Sequence, residues 1–341
     1  MAARRRLLSA LSAQTLGFAT LPEPMAGADN SSEAGAVGRI FSDPLSGRQV
    51  VFAPARTMRP GILGVRREDA APGEAEKCPF CEGREQETPP ELLALGAAKE
   101  REPDSPGWRV RVVPNLYPAF ERQQVVVHAP THARSLTDVS DEQLALVAEA
   151  WAETAERAWA EGFDHLLAVI NEGRASGASL PHSHSQLVWL KQAPPEVALE
   201  APRLRHDGCA LCALLRDIDP ALRLSERKLG DSTVSLAVAP TGRAPYEMLI
   251  APREHEPDAF GNSELLGVAL ALAAEGARRL NAVEGASPFN IWLHNFQADG
   301  HWHLELVPRL NIYAGLELGG GIFINTLLPE VAAARLRGVS L

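Results

Sequence analysis

No stretch of the 341-residue sequence is apolar for long enough to span a bilayer. Its best run, Leu265 to Ala274, falls well short of the roughly 20 residues that a membrane helix needs, so no membrane partner is expected. An excess of positive charge is also missing. Thirty-three Lys and Arg face 43 Asp and Glu, for a net charge of −10. That balance argues against a nucleic-acid surface and leaves any phosphate site to local arginines and backbone N–H groups. Cysteine is scarce, four in all, too few to staple a secreted chain of this size, so the protein reads as intracellular and cytoplasmic. No acidic cluster calls for magnesium. What remains, 45% hydrophobic and 22% charged residues, is the composition of a soluble globular protein with length for two ordinary domains. Residues 1–38, with Arg4, Arg5 and Arg6 followed by small residues, read as a disordered leader, with a transit peptide as the alternative.

All four cysteines lie in two CxxC pairs, Cys78/Cys81 and Cys209/Cys212. Their Pro-, Gly- and charge-rich surroundings fit zinc knuckles better than a redox pair, which needs a single CxxC opening a helix after a strand. The stretch Asn171 to Trp189 is organised differently. A Gly-rich loop there runs into His182, His184 and Gln186, alternating with Ser183 and Ser185. Period-two alternation is strand geometry, so the two imidazoles and the amide share one face. An imidazole can attack phosphorus and an amide N–H can hold a non-bridging oxygen, which suits the row to phosphoryl chemistry. An isolated pair of this kind serves equally as metal ligands or core residues.

The order of landmarks repeats. Strand Gln124–Ala129 leads to His132, a helix capped by Ser140 with Gln143 in capping-box position follows, then strand Leu166–Ile170 and the His182 row. In the second half, strand Glu247–Ile250 leads to His255, a helix follows from about Ser263, then strand Asn290–His294 and His301, His303 and Glu305. Steps of 51 and 50 residues from Cys81 to His132 to His182 match steps of 43 and 46 from Cys212 to His255 to His301. An internal duplication follows, with halves at 39–195 and 196–341. Each half supplies two cysteines and two histidines, the count and softness of a closed structural zinc site. The predicted sets are Cys78, Cys81, His132 and His182, then Cys209, Cys212, His255 and His301, with His303 competing for the last place. With His182 on the metal, His184 is left as the free ring. Glu305 stands where the first half has Gln186, and a carboxylate repels phosphate, so attack is assigned to the first half. Arg56 and Arg59, three apart on a loop after a strand, read as phosphate clamps.

With these residues in view, the chain resembles the galactose-1-phosphate uridylyltransferase family, the transferase branch of the histidine-triad superfamily. The likeness runs from Arg39 to the C-terminus. It is carried by DPLSGRQVVFAPARTMRP, CPFCEGREQETPPE, VRVVPNLYPAF, APTHARSL, NEGRASGASLPHSHSQ and GLELGGGIFINTLLPEVAA. The resemblance implies an α/β (α+β) fold of two duplicated halves, each an antiparallel sheet with helices, often dimeric. It implies His184 as nucleophile and Gln186 as phosphoryl-oxygen ligand, in a ping-pong transfer through a nucleotidyl-histidine. Arg56, Arg59 and Ser179 would bind phosphate, Asn115 and Asn171 the nucleotide, and Glu317 the sugar. Cys78, Cys81, His132 and His182 would hold zinc, with a second zinc in the other set. Uridylyl transfer between UDP-glucose and a hexose 1-phosphate is the leading expectation. ADP-glucose phosphorylase, suggested by the second CxxC and the tail, is the alternative, and nucleotide-sugar hydrolysis a third. Ser183 replaces the family's usual Pro between the histidines, a change expected to loosen the backbone, and His128 stands where Glu is common.

Overall fold

The computed structural model describes residues 38–58, 65–297 and 300–341. The leader apart from Gly38, and Arg59 with it, lie outside the described residues. Two sheets organise the rest. A small one joins β1 (Arg39–Ser42), β2 (Gln49–Phe52) and, parallel to β2, the late strand β13 (Ile322–Asn325).

The main sheet has ten strands. Five come from the first half: β3 (Leu93–Leu95), β4 (Val110–Pro114), β5 (Gln123–Val127), β6 (His165–Glu172) and β7 (His184–Leu190). Five come from the second: β8 (Arg223–Leu229), β9 (Ser232–Val238), β10 (Met248–Pro252), β11 (Phe289–His294) and β12 (His303–Pro308). Their order across the sheet is β3-β4-β5-β7-β6-β11-β12-β10-β9-β8, antiparallel throughout. Read from either edge inwards, the two sets have the same order, and they meet at the β6–β11 seam. The fold is α+β with an antiparallel main sheet, as the resemblance implied.

Between β5 and β6 runs α1 (Asp141–Ala160), and between β10 and β11 runs α4 (Ser263–Glu284), both placed by the 3.6-residue recurrence of apolar positions. They pack together where Gly267 lets the backbones close: a Cβ there would meet Ala145 Cα at 3.1 Å. Ser140 caps α1 by accepting from the Gln143 N–H, but the expected capping box does not form. The Gln143 amide instead donates to the carbonyls of Arg109 and His128, tying the helix to the sheet.

These helices cover one sheet face. Leu187, Ala168, Ile170, Ile291, Leu304 and Met248, nearly free of solvent, join Leu144, Trp151 and Leu270 in one continuous core. Alternation therefore leaves the other face for polar side chains. Short helices complete the chain: α2 (Pro195–Glu200), α3 (Ala210–Asp217), α5 (Gly315–Gly320) and α6 (Pro329–Arg337). Among the described residues, no helix is long and apolar enough to cross a membrane.

Candidate active site

The face away from the helices can be read row by row from strand register. Val125, Gln186, Val169, Trp292 and Glu305 stand opposite one another across five strands. Continuing the β6–β7 pairing by one step sets Asn171 opposite His184, and Asn171 is itself paired with Asn290, which is paired with Val307. Residues opposite one another point to the same side, so His184, Gln186, Asn171, Asn290, Trp292 and Glu305 all project from this face.

Two cysteine–histidine clusters flank it. Cys78, Cys81, His132 and His182 place their donor atoms within 4.8 Å of one another, as do Cys209, Cys212, His255 and His301. In the first cluster Cys78 Sγ lies 3.3 Å from His182 Nδ1 and Cys81 Sγ 3.4 Å from His132 Nδ1. In the second, Cys212 Sγ lies 3.4 Å from His255 Nδ1 and 3.3 Å from His301 Nδ1. Three of the outer nitrogens are engaged elsewhere. His182 Nε2 donates to the Ala129 carbonyl and His301 Nε2 to the Pro252 carbonyl, each at 3.0 Å, while His132 Nε2 meets Glu74 at 3.1 Å. That fixes the tautomer with the Nδ1 lone pair aimed at the sulfurs, the outer-shell arrangement of metal-binding histidines.

Electrostatics agree with a cation. Burial pushes the Cys81 and Cys212 thiols up to about 12, with the neighbouring Cys78 and Cys209 raising them further. Paired thiolates therefore need a positive ion between them, whereas burial keeps His182 neutral, down to about 4. These donors fit zinc. One local expectation is corrected: the second CxxC does open a helix, Cys209 serving as the N-cap of α3, because the Cys212 N–H reaches its sulfur at 3.4 Å.

Between cluster and strand, Ser183 is pinned rather than loosened. Its N–H donates to the Ala133 carbonyl at 2.6 Å, its carbonyl accepts from the His128 N–H at 3.2 Å, and its hydroxyl meets His128 Nδ1 at 2.9 Å. His128 is fully buried and held far below its ordinary pKa by desolvation. His184 follows, with Nδ1 donating to the His182 carbonyl at 2.7 Å. Its Nε2 lone pair is thereby left for chemistry, and burial keeps the ring below its ordinary pKa despite that bond. Gln186 is oriented by Gln123, whose Nε2 donates to Gln186 Oε1 at 2.7 Å, so the Gln186 amide N–H groups stay available.

The remaining predicted residues are spread more widely. Asn171 joins this face, its side chain accepting from Asn290 Nδ2 at 2.6 Å. Asn115 begins the β4–β5 connection and caps its own turn by accepting from the Tyr117 N–H. Ser179 is exposed at the tip of the Gly-rich loop, and Arg56 is exposed on the turn after β2. Glu317 lies on α5 and accepts from the Ala314 N–H at 2.9 Å.

In the second half the corresponding polar row is bound up in ion pairs. Arg243 reaches Glu305 at 2.6 Å and Glu247 at 2.9 Å, and stacks over Trp292 at 5.0 Å. Burial alone would raise Glu305, but Arg243 and Arg48 hold it well below the carboxylate range. His303 belongs to a third group with Glu200 and His294, whose donor atoms also lie within 4.8 Å. This settles the competition, because His301 and not His303 completes the cysteine cluster. The Glu200 group was not found from sequence, since its glutamate sits on a short helix with no motif around it. Lone His294, at the end of a strand, was its one visible signal.

Residues 118–195 match the family described as "Galactose-1-phosphate uridyl transferase, N-terminal domain". The chain is 28% identical to an ADP-glucose phosphorylase of Arabidopsis thaliana, over 92% of this chain and 97% of the relative. It is 25% identical to a galactose-1-phosphate uridylyltransferase of Thermotoga maritima, over 86% and 96%. The crystal structure of an Arabidopsis thaliana ADP-glucose phosphorylase with bound ADP-glucose superposes with a TM-score of 0.74, at 25% identity, over 90% of this chain and all of that one.

Proposed function

We propose that the chain is a nucleotidyltransferase of the galactose-1-phosphate uridylyltransferase family, to which its matched domain and its relatives liken it, and that it moves a nucleotidyl group from ADP-glucose to inorganic phosphate through His184. The observation that carries this reading is the 2.7 Å bond from His184 Nδ1 to the His182 carbonyl. It fixes the proton on Nδ1 and leaves Nε2 as an in-plane nucleophile beside the Gln186 amide.

Attack by Nε2 on the α-phosphorus forms an N–P bond as the bond to the sugar-phosphate oxygen breaks, and glucose 1-phosphate leaves with that electron pair. A phosphate oxygen then attacks the same phosphorus, the N–P bond breaks, and its electrons return to Nε2, giving ADP and ping-pong kinetics. Gln186 donates to the non-bridging oxygen whose charge grows in each step. Asn171, Ser179 and Arg56 would hold the nucleotide and its phosphates. Cys78, Cys81, His132 and His182 would hold zinc, which when bound cross-links the cysteine turn to the strand that presents His184.

Adenylyl transfer is favoured over the uridylyl transfer expected from sequence by the greater identity and coverage of the adenylyl relative. The second cysteine–histidine cluster also suits it, having been the feature that suggested this branch. The uridylyl reading keeps the support of the matched N-terminal domain. The duplication into halves at 39–195 and 196–341 is supported by the shared strand order. Incubation with ADP-glucose and UDP-glucose, each radiolabelled in the α-phosphate, decides the donor. The nucleotide sugar that leaves an acid-labile, base-stable label on the protein is the substrate. Label from UDP-glucose alone would overturn the adenylyl assignment.

A further inference from the structure

Beside the Asn171–Asn290 pair, the second half carries an arginine that nothing above uses. Arg309 leaves β12 on the polar sheet face, two residues past Val307, the partner of Asn290. Its Nη1 donates to Asn290 Oδ1 at 3.0 Å. Asn290 in turn donates to Asn171 Oδ1 at 2.6 Å and to the Ser176 carbonyl, in the Gly-rich loop, at 2.9 Å. The guanidinium stacks over Tyr313 at 5.1 Å.

Arg243, on the same sheet face, is spent on carboxylates, Glu247 and Glu305. Arg309 makes no ion pair among the described residues. Its Nε is buried with no partner, and so are Asn311 Oδ1 and the Tyr313 hydroxyl, all within five residues of chain. A buried donor left unpaired costs about 1–3 kcal/mol, and more when charged. A guanidinium with an open edge and no carboxylate is shaped for a phosphate. Its position suits the second phosphate of a transfer at His184. Asn290 is two strands across from His184, about 10 Å at ~4.8 Å per strand, and the arginine reaches back towards it.

We propose that the Arg309 guanidinium, stacked on Tyr313 and tied to Asn171 through Asn290, is the receptor for the phosphate of the acceptor that discharges the nucleotidyl-enzyme. This rests on the transfer reading for its role, though not for its existence as an anion site. The first half supplies the attacking ring, and the second half supplies the charge that holds the incoming anion.

The test separates the two. Inorganic phosphate and glucose 1-phosphate are titrated calorimetrically into wild type, Arg309→Gln and Arg309→Lys, each checked for folding by circular dichroism. Arg309→Gln should bind both anions about tenfold or more weakly, the size of a lost charge-assisted hydrogen bond, with Arg309→Lys between. In discharge of protein labelled from ADP-glucose, the KM for phosphate should rise by the same factor, while the acid-labile label still forms at saturating ADP-glucose. Equal Kd and KM in wild type and Arg309→Gln would overturn the proposal. If Arg309→Gln does not fold, Tyr313→Leu, which removes the stacked ring alone, should still weaken phosphate binding severalfold, and unchanged binding would again overturn it. Phosphate bound through Arg309 in a chain that takes no label from any nucleotide sugar would defeat the transferase reading and leave the anion receptor standing.

Discussion

The carbonyl of His182 accepts a 2.7 Å hydrogen bond from the ring of His184, while the ring of His182 turns its own Nδ1 to within 3.3 Å of Cys78 Sγ. One residue thus faces the cysteine cluster with its side chain and orients the ring of His184 with its backbone. In the second half the equivalent bond, from His303 to the His301 carbonyl, stretches to 3.5 Å, and His303 lies 3.6 Å from Glu200 instead.

His184→Gly should therefore abolish labelling by a nucleotide sugar, whereas His303→Gln should keep it and lose only stability. Autoradiography of the two variants after incubation with donor checks this. Equal loss in both would mean that the halves share the chemistry.

Gln186→Glu keeps size and the contact with Gln123 but sets a carboxylate beside the phosphoryl oxygens. The transfer rate should fall by about 10²–10³, as for loss of an oxyanion donor, with little change in melting temperature. Single-turnover labelling measures it.

Only neutral His184 can attack, and burial lowers its pKa from the ordinary value of about 6.5. The neutral ring therefore persists to lower pH than a free imidazole. The acid limb of the labelling rate should have its midpoint below about 6.5, so a midpoint above that value would contradict a desolvated nucleophile.

Stripping metal with a strong chelator, or Cys81→Ser, should lower the melting temperature by at least about 5 °C, the size of a ~2 kcal/mol loss. Activity should fall with it, because the segment carrying His182 loses its anchor. Elemental analysis of the purified protein, expected to find zinc, and calorimetry before and after chelation are the measurements.

Arg243→Ala would leave Glu247 and Glu305, both nearly fully buried, without their shared cation. A loss of about 3–5 kcal/mol is expected from stranding buried charge, read by urea denaturation. His184 labelling should survive at low temperature, since this network lies on the second half, away from His184.

Much of the site was legible because its signals are local. Alternation placed His184 and Gln186 on one face, and CxxC with two spaced histidines picked out both cysteine–histidine clusters. Other features were not legible for a physical reason. The role of Gln143 depended on which carbonyls the sheet would offer it, and the grip on Ser183 depended on His128, 55 residues away. Glu200, on a six-residue helix, acquires meaning only when β11 and β12 bring His294 and His303 to it.

By itself the sequence determined the repeated order of elements, the residue types able to hold zinc and the strand that sets His184 and Gln186 side by side, because period and spacing act over short stretches of chain. Tertiary structure alone decided which half has its polar row bound up in ion pairs. How a polar row is partnered depends on distant strands, and the seam of β6 and β11 sets Asn290 beside Asn171 and Arg309 beside Asn290, while Arg243 pairs with Glu247 and Glu305.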